Sequence, residues 1–239
     1  MANVRNPKPR VMDEREYYRQ VYSGILDPLQ RSIVDRINQG ISARKWLDVV
    51  MLEFDNYIDD HPDLGEDEAT AMLGRLNAYQ RAEMVVRYSR AFGANVSPLL
   101  PDSVMAPTLK ARLRANVDLI KSLPSQYQAQ VQEQFYKVFS EHGLDQQKLN
   151  QMLTERFNVA KNRAKLITRD QNNKIIGELN AERNKQLGIE RYTWVTAGDE
   201  RVRSSHSLLN GTRQRWDSPP SVGHPGYDIQ CRCISLSEV

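Results

Sequence analysis

The only two thiols in the 239 residues, Cys231 and Cys233, stand one residue apart in the stretch GHPGYDIQCRC. His224 lies seven positions before Cys231, and His206 lies further upstream. Together His206, His224, Cys231 and Cys233 form a His2Cys2 donor set, and zinc favours two thiolates and two imidazoles in a tetrahedron. A Cys-x-Cys on one strand face would present both sulfurs to one ion, with the loop 212–228 folding His224 back over it. Zinc pairs are more often Cys-x2-Cys knuckles, so a second reading stays open: two small buried side chains beside a hydrogen-bonding histidine. A redox pair is a poor match. Such thiols are normally Cys-x-x-Cys at a helix start, where the dipole lowers one thiol pKa.

The segment GDERVRSSH sets Asp199, Arg201, Arg203 and His206 within two helical turns. An acid and a histidine this close suit a general base and its orienter. Asp199 equally suits an N-cap for the helix that carries His206. Neither a serine-nucleophile elbow nor a phosphate-cradling glycine loop accompanies them. A His-Asn-His nuclease built on His206, Asn210 and His224 would need a strand-loop-helix order that is not matched here.

Positioning these residues requires a scaffold, and the first 190 residues read as helices. Apolar residues recur at three- to four-residue spacing from Leu26 to Asp60, with a break at Gly40, and again from Ala69 to Gly93. GANVSPLLPDSVMAP, residues 93–107, reads as an ordered loop or arm. PTLKARLRANVDLIKSLP and PSQYQAQVQEQFYKVFSEHG read as two helices, each starting at a proline. Residues 144–188 form a long polar helical stretch with a narrow apolar stripe, which suits a bundle or an assembly interface. After Gly188 the pattern changes. IERYTWVTA reads as a strand, GDERVRSSHSLLNG as a turn and short helix, and DIQCRCISL as a second strand with Ile229, Cys231 and Cys233 on one face. The fold class is therefore a mainly α N-terminal helical body with a small C-terminal α+β domain. Its expected divisions are an arm over 1–24, a helical domain over 25–143, a connecting helix or helices over 144–188 and the α+β domain over 189–239.

Net charge is +3, but the charges are uneven. Residues 53–68 carry eight acids and no lysine or arginine, while residues 156–216 carry thirteen basic residues against six acidic ones. A basic segment can face nucleic acid or an acidic protein, although a charge run is commonly a solvated face. The acidic run lacks the spacing of a calcium loop and is interrupted by Pro62. No apolar run approaches the ~18 residues of a membrane span. The N-terminal stretch has no apolar segment after its basic residues and so does not read as a secretory signal.

Taken in order, the C-terminal residues carry a resemblance. The series is Tyr192-x-Trp194-x-Thr196, Asp199-x-Arg201-x-Arg203, His206, Leu209-Asn210-Gly211, Pro219-Pro220, Gly223-His224-Pro225-Gly226 and Cys231-Arg232-Cys233. It resembles the C-terminal domain of the Mu F-type family of phage head morphogenesis (minor capsid) proteins, over about residues 155–236. The preceding Ala164, Ile167, Arg169, Asp170, Gln171, Arg183 and Gly188 resemble that family's approach to its first strand. Gln230 stands where the family commonly has asparagine.

The resemblance implies a non-enzymatic virion component of a tailed bacteriophage, made in the host cytoplasm and carried in the head. Its expected partners are the portal protein, the major capsid or scaffolding protein, and packaged double-stranded DNA met through phosphates, with no membrane. Procapsid assembly, DNA packaging and ejection are the processes it would serve. Arg163, Lys165, Arg169 and Lys174 are the candidate DNA-facing residues. Within this frame Asp199, Arg201, His206 and Arg232 are expected to form a buried polar network; no cofactor is required, and a structural zinc at the His2Cys2 set stays open as one of the two readings. The alternative is a metal-dependent DNA-acting enzyme, a nuclease or transferase, using His206 and its neighbours.

Overall fold

The computed structural model describes residues 3–239. Helices dominate: α1 (Val11–Val21), α2 (Asp27–Asn38), α3 (Trp46–Asp60), α4 (Glu66–Phe92), α5 (Ala106–His142), α6 (Gln146–Gln186) and the short α7 (Ser204–Ser207). Strands β1 (Asn3–Arg5), β2 (Arg191–Val195), β3 (Arg213–Arg215) and β4 (Ile234–Glu238) form one sheet. The mainly α body with a small α+β tail is thus present. The chain divides into two compact units that are not contiguous in sequence. One gathers the N-terminal segment through Arg15, Thr70–Arg114 and Thr168–Val239; the other gathers Glu16–Ala69 and Ala115–Ile167. The divisions expected from sequence fall at 24, 143 and 188 instead.

The all-helical unit is built on apolar faces at helical spacing. On α3, Trp46, Val50, Phe54 and Tyr57 are buried at intervals of three and four, which brings them onto one side. Phe54 meets Tyr127 edge-on with ring centres 4.9 Å apart, and Trp46 stacks on Phe135 at 5.9 Å. Burying each such side chain stabilises by about 1.5–3 kcal/mol. Gly65 has φ +85, and a Cβ there would fall 2.5 Å from Ile120 Cγ2, so only glycine fits this approach. The break expected at Pro124 does not occur, because Pro124 lies inside the continuous 37-residue α5. An interior proline costs a helix about 3 kcal/mol. Burial of Leu123, Pro124, Tyr127 and Val131 along the same stretch offsets that cost.

The second unit holds the sheet, whose order is β1-β4-β2-β3 with every pairing antiparallel. Two strands differ from the sequence expectation. Asn3–Arg5, expected as part of an arm, pairs with β4 in the register Asn3 to Glu238. Cys231 and Cys233 precede β4 instead of lying in it, and Gln230 takes a left-handed φ of 56 that an extended strand cannot accommodate. The core packs Tyr192, Trp194 and Trp216 with Val4, Met84, Tyr88, Ala181, Cys231 and Cys233.

A buried polar network, not foreseen from sequence, ties this core to both ends of the chain. Tyr88 Oη lies 2.8 Å from Asn6 Oδ1 and 2.7 Å from Asn184 Oδ1. Asn6 Nδ2 donates to Ser237 Oγ at 2.8 Å, and Ser237 Oγ reaches Asn184 Oδ1 at 2.6 Å. Arg183, fully buried, bonds Gln80 and donates to Asp102 Oδ1 at 2.9 Å. Its burial draws the guanidinium pKa down to about 10, opposed by the Asp102 charge. Such groups are tolerated because nearly every one finds a partner.

Candidate metal centre and basic cleft

The GHPG turn is seated on α6 by two close backbone approaches. A Cβ at Gly177 would fall 2.6 Å from the Pro225 carbonyl oxygen, and one at Gly226 (φ +93) would fall 2.7 Å from that of Asn173. The same face of α6 anchors the segment after the turn. Asn173 Nδ2 donates to the Cys231 carbonyl at 3.2 Å, and the Gln230 amide donates to Asp170 Oδ1 at 2.9 Å. These bonds fix the irregular backbone of residues 230–231 and aim the thiols inward.

Both thiols converge on one imidazole. Cys231 Sγ lies 3.6 Å and Cys233 Sγ 3.5 Å from His206 Nδ1, and all three side chains are buried. The Gly226 amide donates to Cys231 Sγ at 3.4 Å. The Cys233 thiol beside it draws the Cys231 pKa down to about 6 against the effect of burial, with Gly226 and His206 assisting. Cys233 is pushed the other way, by Cys231 and by burial. The two thiols therefore share a hydrogen bond that stabilises a single thiolate within the pair. On the far side of the imidazole, His206 Nε2 lies 3.2 Å from Asp228 Oδ2 but makes no aligned hydrogen bond. Arg203 Nη1 holds Asp228 at 3.1 Å.

His224, the fourth residue of the sequence-derived set, is placed elsewhere. Its Nδ1 lies 3.0 Å from Tyr192 Oη, and its ring packs 5.0 Å from that of Trp216. Burial, with the Lys185 charge, lowers its pKa to about 4. The loop seats His224 on the aromatic core, so three donors of the four gather.

The network expected around Asp199 is also rearranged. Arg232 grips Asp199 through two 2.6 Å bonds, but both side chains are well exposed, and the pair lies on the surface. That grip holds the Asp199 carboxyl below its ordinary range. Arg201 contributes its backbone amide to Asp199 at 3.2 Å, and His206 faces the thiols instead. Asp199 is not the N-cap of α7 either: that position is Arg203, without a side-chain cap.

Above the thiols opens a cleft of about 940 Å³. Arg5, Lys8, Arg10, Arg15, Arg169, Arg201, Arg203 and Arg232 line it, with Glu14 the single acidic residue. Part of this charge is internally balanced: Arg169 pairs with Glu14 at 2.9 Å and Arg10 with Asp13 at 2.7 Å. Arg5, Lys8, Arg15 and Arg201 have no salt bridge among the described residues. Of the candidate DNA-facing residues, only Arg169 lines the cleft. Lys174 is paired with Asp170 at 2.8 Å, and Arg163 and Lys165 belong to the helical unit, where Lys165 lies 5.4 Å over the Tyr18 ring. Arg5, Arg10 and Arg15 were missed because they reach the cleft from the opposite end of the sequence. Asp228 was missed because a lone acid in a turn gives no signal.

The fold and site define a small antiparallel α+β module capped by a long helix, with a buried His-Cys-Cys centre beneath a basic cleft. Residues 140–236 match the family described as phage Mu protein F like protein, the family that the C-terminal residues resembled. An uncharacterized protein of Haemophilus influenzae is 30% identical over 200 residues, covering 83% of this chain and 44% of that relative. The chain thus spans less than half of the relative's length. No solved structure matches significantly. Among the described residues, no helix is long and apolar enough to cross a membrane.

Proposed function

We propose that this chain is a minor head component of a tailed phage that associates with the portal vertex during procapsid assembly and contacts packaged DNA. The observation that carries the reading is the match of residues 140–236 to the phage Mu protein F like family. The cleft supports the DNA contact: cations drawn from β1, its following segment, α6 and the 195–233 loops converge around one acid, a suitable surface for phosphates without base readout. The enclosed His206, turned onto two thiols, supports a structural part rather than a general base. Coexpression with the portal protein of the same phage tests the reading. Copurification of the two through procapsid isolation is the expected result, and a chain that separates fully from portal and procapsid contradicts it.

A further inference from the structure

We propose that His206 Nδ1, Cys231 Sγ and Cys233 Sγ bind one zinc ion, with water as the fourth ligand and Asp228 orienting the imidazole. Four observations lead here. First, the spacing fits. Zn–S bonds of about 2.3 Å and a Zn–N bond of about 2.0–2.1 Å, set at a tetrahedral angle, separate sulfur and nitrogen by about 3.5–3.6 Å. The observed separations are 3.5 and 3.6 Å, and all three donor atoms lie within 4.8 Å of one another. Second, both sulfurs face the same ring nitrogen at near-equal distance, although Cys231 also accepts from the Gly226 amide. Nδ1 has either one lone pair or one proton in the ring plane, so it can satisfy one sulfur; a cation at the centre satisfies both.

Third, the far side of the imidazole has what a bound metal requires. An imidazole coordinated through Nδ1 keeps its proton on Nε2, and metal-bound histidines usually direct that proton to a carboxylate or carbonyl. Asp228 Oδ2 stands 3.2 Å from Nε2, which has no aligned hydrogen-bond partner among the described residues, so a small turn of the ring on binding metal would direct its proton to that carboxylate. Asp228 is itself held by Arg203 and by the Ile229 amide, which donates to its Oδ1 at 2.8 Å. Fourth, a cavity of about 20 Å³ bordered by His206, Cys231 and Cys233 has the volume of one water, enough for the remaining ligand. Two thiolates with one imidazole select zinc over the harder divalent cations. The centre would tie α7 to the segment ahead of β4 across residues that have little regular structure.

The test is the metal content of the reduced full chain purified without added metal, followed by the absorption of the cobalt(II)-loaded protein. One zinc per chain and a thiolate-to-cobalt charge-transfer band are expected. Cys231→Ser and Cys233→Ser should lose the band, while His224→Ala should keep full metal content because His224 is bonded to Tyr192. Asp228→Asn should retain the site with metal affinity about 10–100-fold weaker, the usual cost of losing such a partner. Should the serine variants fail to fold, the wild-type band and the two folded variants still decide. Reduced wild-type protein that carries no zinc and gives no cobalt band overturns the proposal, as does a site that requires His224.

Discussion

Gly177 of α6 and Gly226 of the GHPG turn meet backbone against backbone, with their Cα atoms 3.6 Å from positions where a Cβ would stand. Neither residue can gain a side chain without moving a main-chain oxygen. This contact sets where Cys231 emerges and therefore where the thiols meet His206. Gly177→Ala is expected to destabilise the sheet-bearing unit by about 1–3 kcal/mol, the usual cost of overpacking. Gly226→Ala adds left-handed strain and should cost more. Urea denaturation monitored by tryptophan fluorescence reads this directly, since Trp194 and Trp216 lie in the affected core.

Asn184 sits at the centre of the polar network that joins Tyr88, Asn6 and Ser237. Asn184→Ala would leave several buried polar atoms without partners, each costing about 1–3 kcal/mol. The expected outcome is a marked loss of stability together with faster amide exchange in β1, which the network fastens. Unchanged exchange in β1 would show that its pairing with β4 suffices.

His224 gives the unit a defined acid sensitivity. Its folded pKa is about 4, below the ordinary 6.5, because burial disfavours the charged imidazole. Between those values the unfolded chain binds a proton that the folded chain refuses, so stability falls as pH drops from 6.5 towards 4 and is unaffected by this group above 6.5. His224→Gln should flatten that part of the stability–pH curve. Persistence of the same slope in the variant would assign it to other groups.

Cleft cations without ion pairs should carry the DNA contact. Arg15→Ala and Arg201→Ala are each expected to weaken non-specific duplex binding at all sequences and to lower the slope of log K against log salt by about one. Lys174→Ala should change the slope less, because Asp170 already compensates that charge. Equal slopes for wild type and both arginine variants would remove the cleft from the DNA-binding surface.

How far the sequence foretold this arrangement depended on how local each signal was. Helical periodicity places Trp46, Val50 and Phe54 on one face without any knowledge of the rest of the chain, and the ordered series from Tyr192 to Cys233 marks the C-terminal region. The β1–β4 pairing joins residues more than 200 positions apart, so no local pattern reveals it. The alternation in DIQCRCISL reads as a strand through the cysteines. The left-handed Gln230 and the Asp170 and Asn173 anchors on α6 delay the strand to Ile234. His206 and His224 look equivalent as potential ligands, and only the packing of Trp216 and Tyr192 around His224 separates them.

The most direct test of the proposed role is an asymmetric cryo-EM reconstruction of the assembled head containing this chain. Density for the α+β module at the portal vertex, with the arginine-lined cleft turned towards packaged DNA, is the predicted result. A head from which the chain is absent, or one in which it is spread over the outer shell away from the portal, would contradict the account.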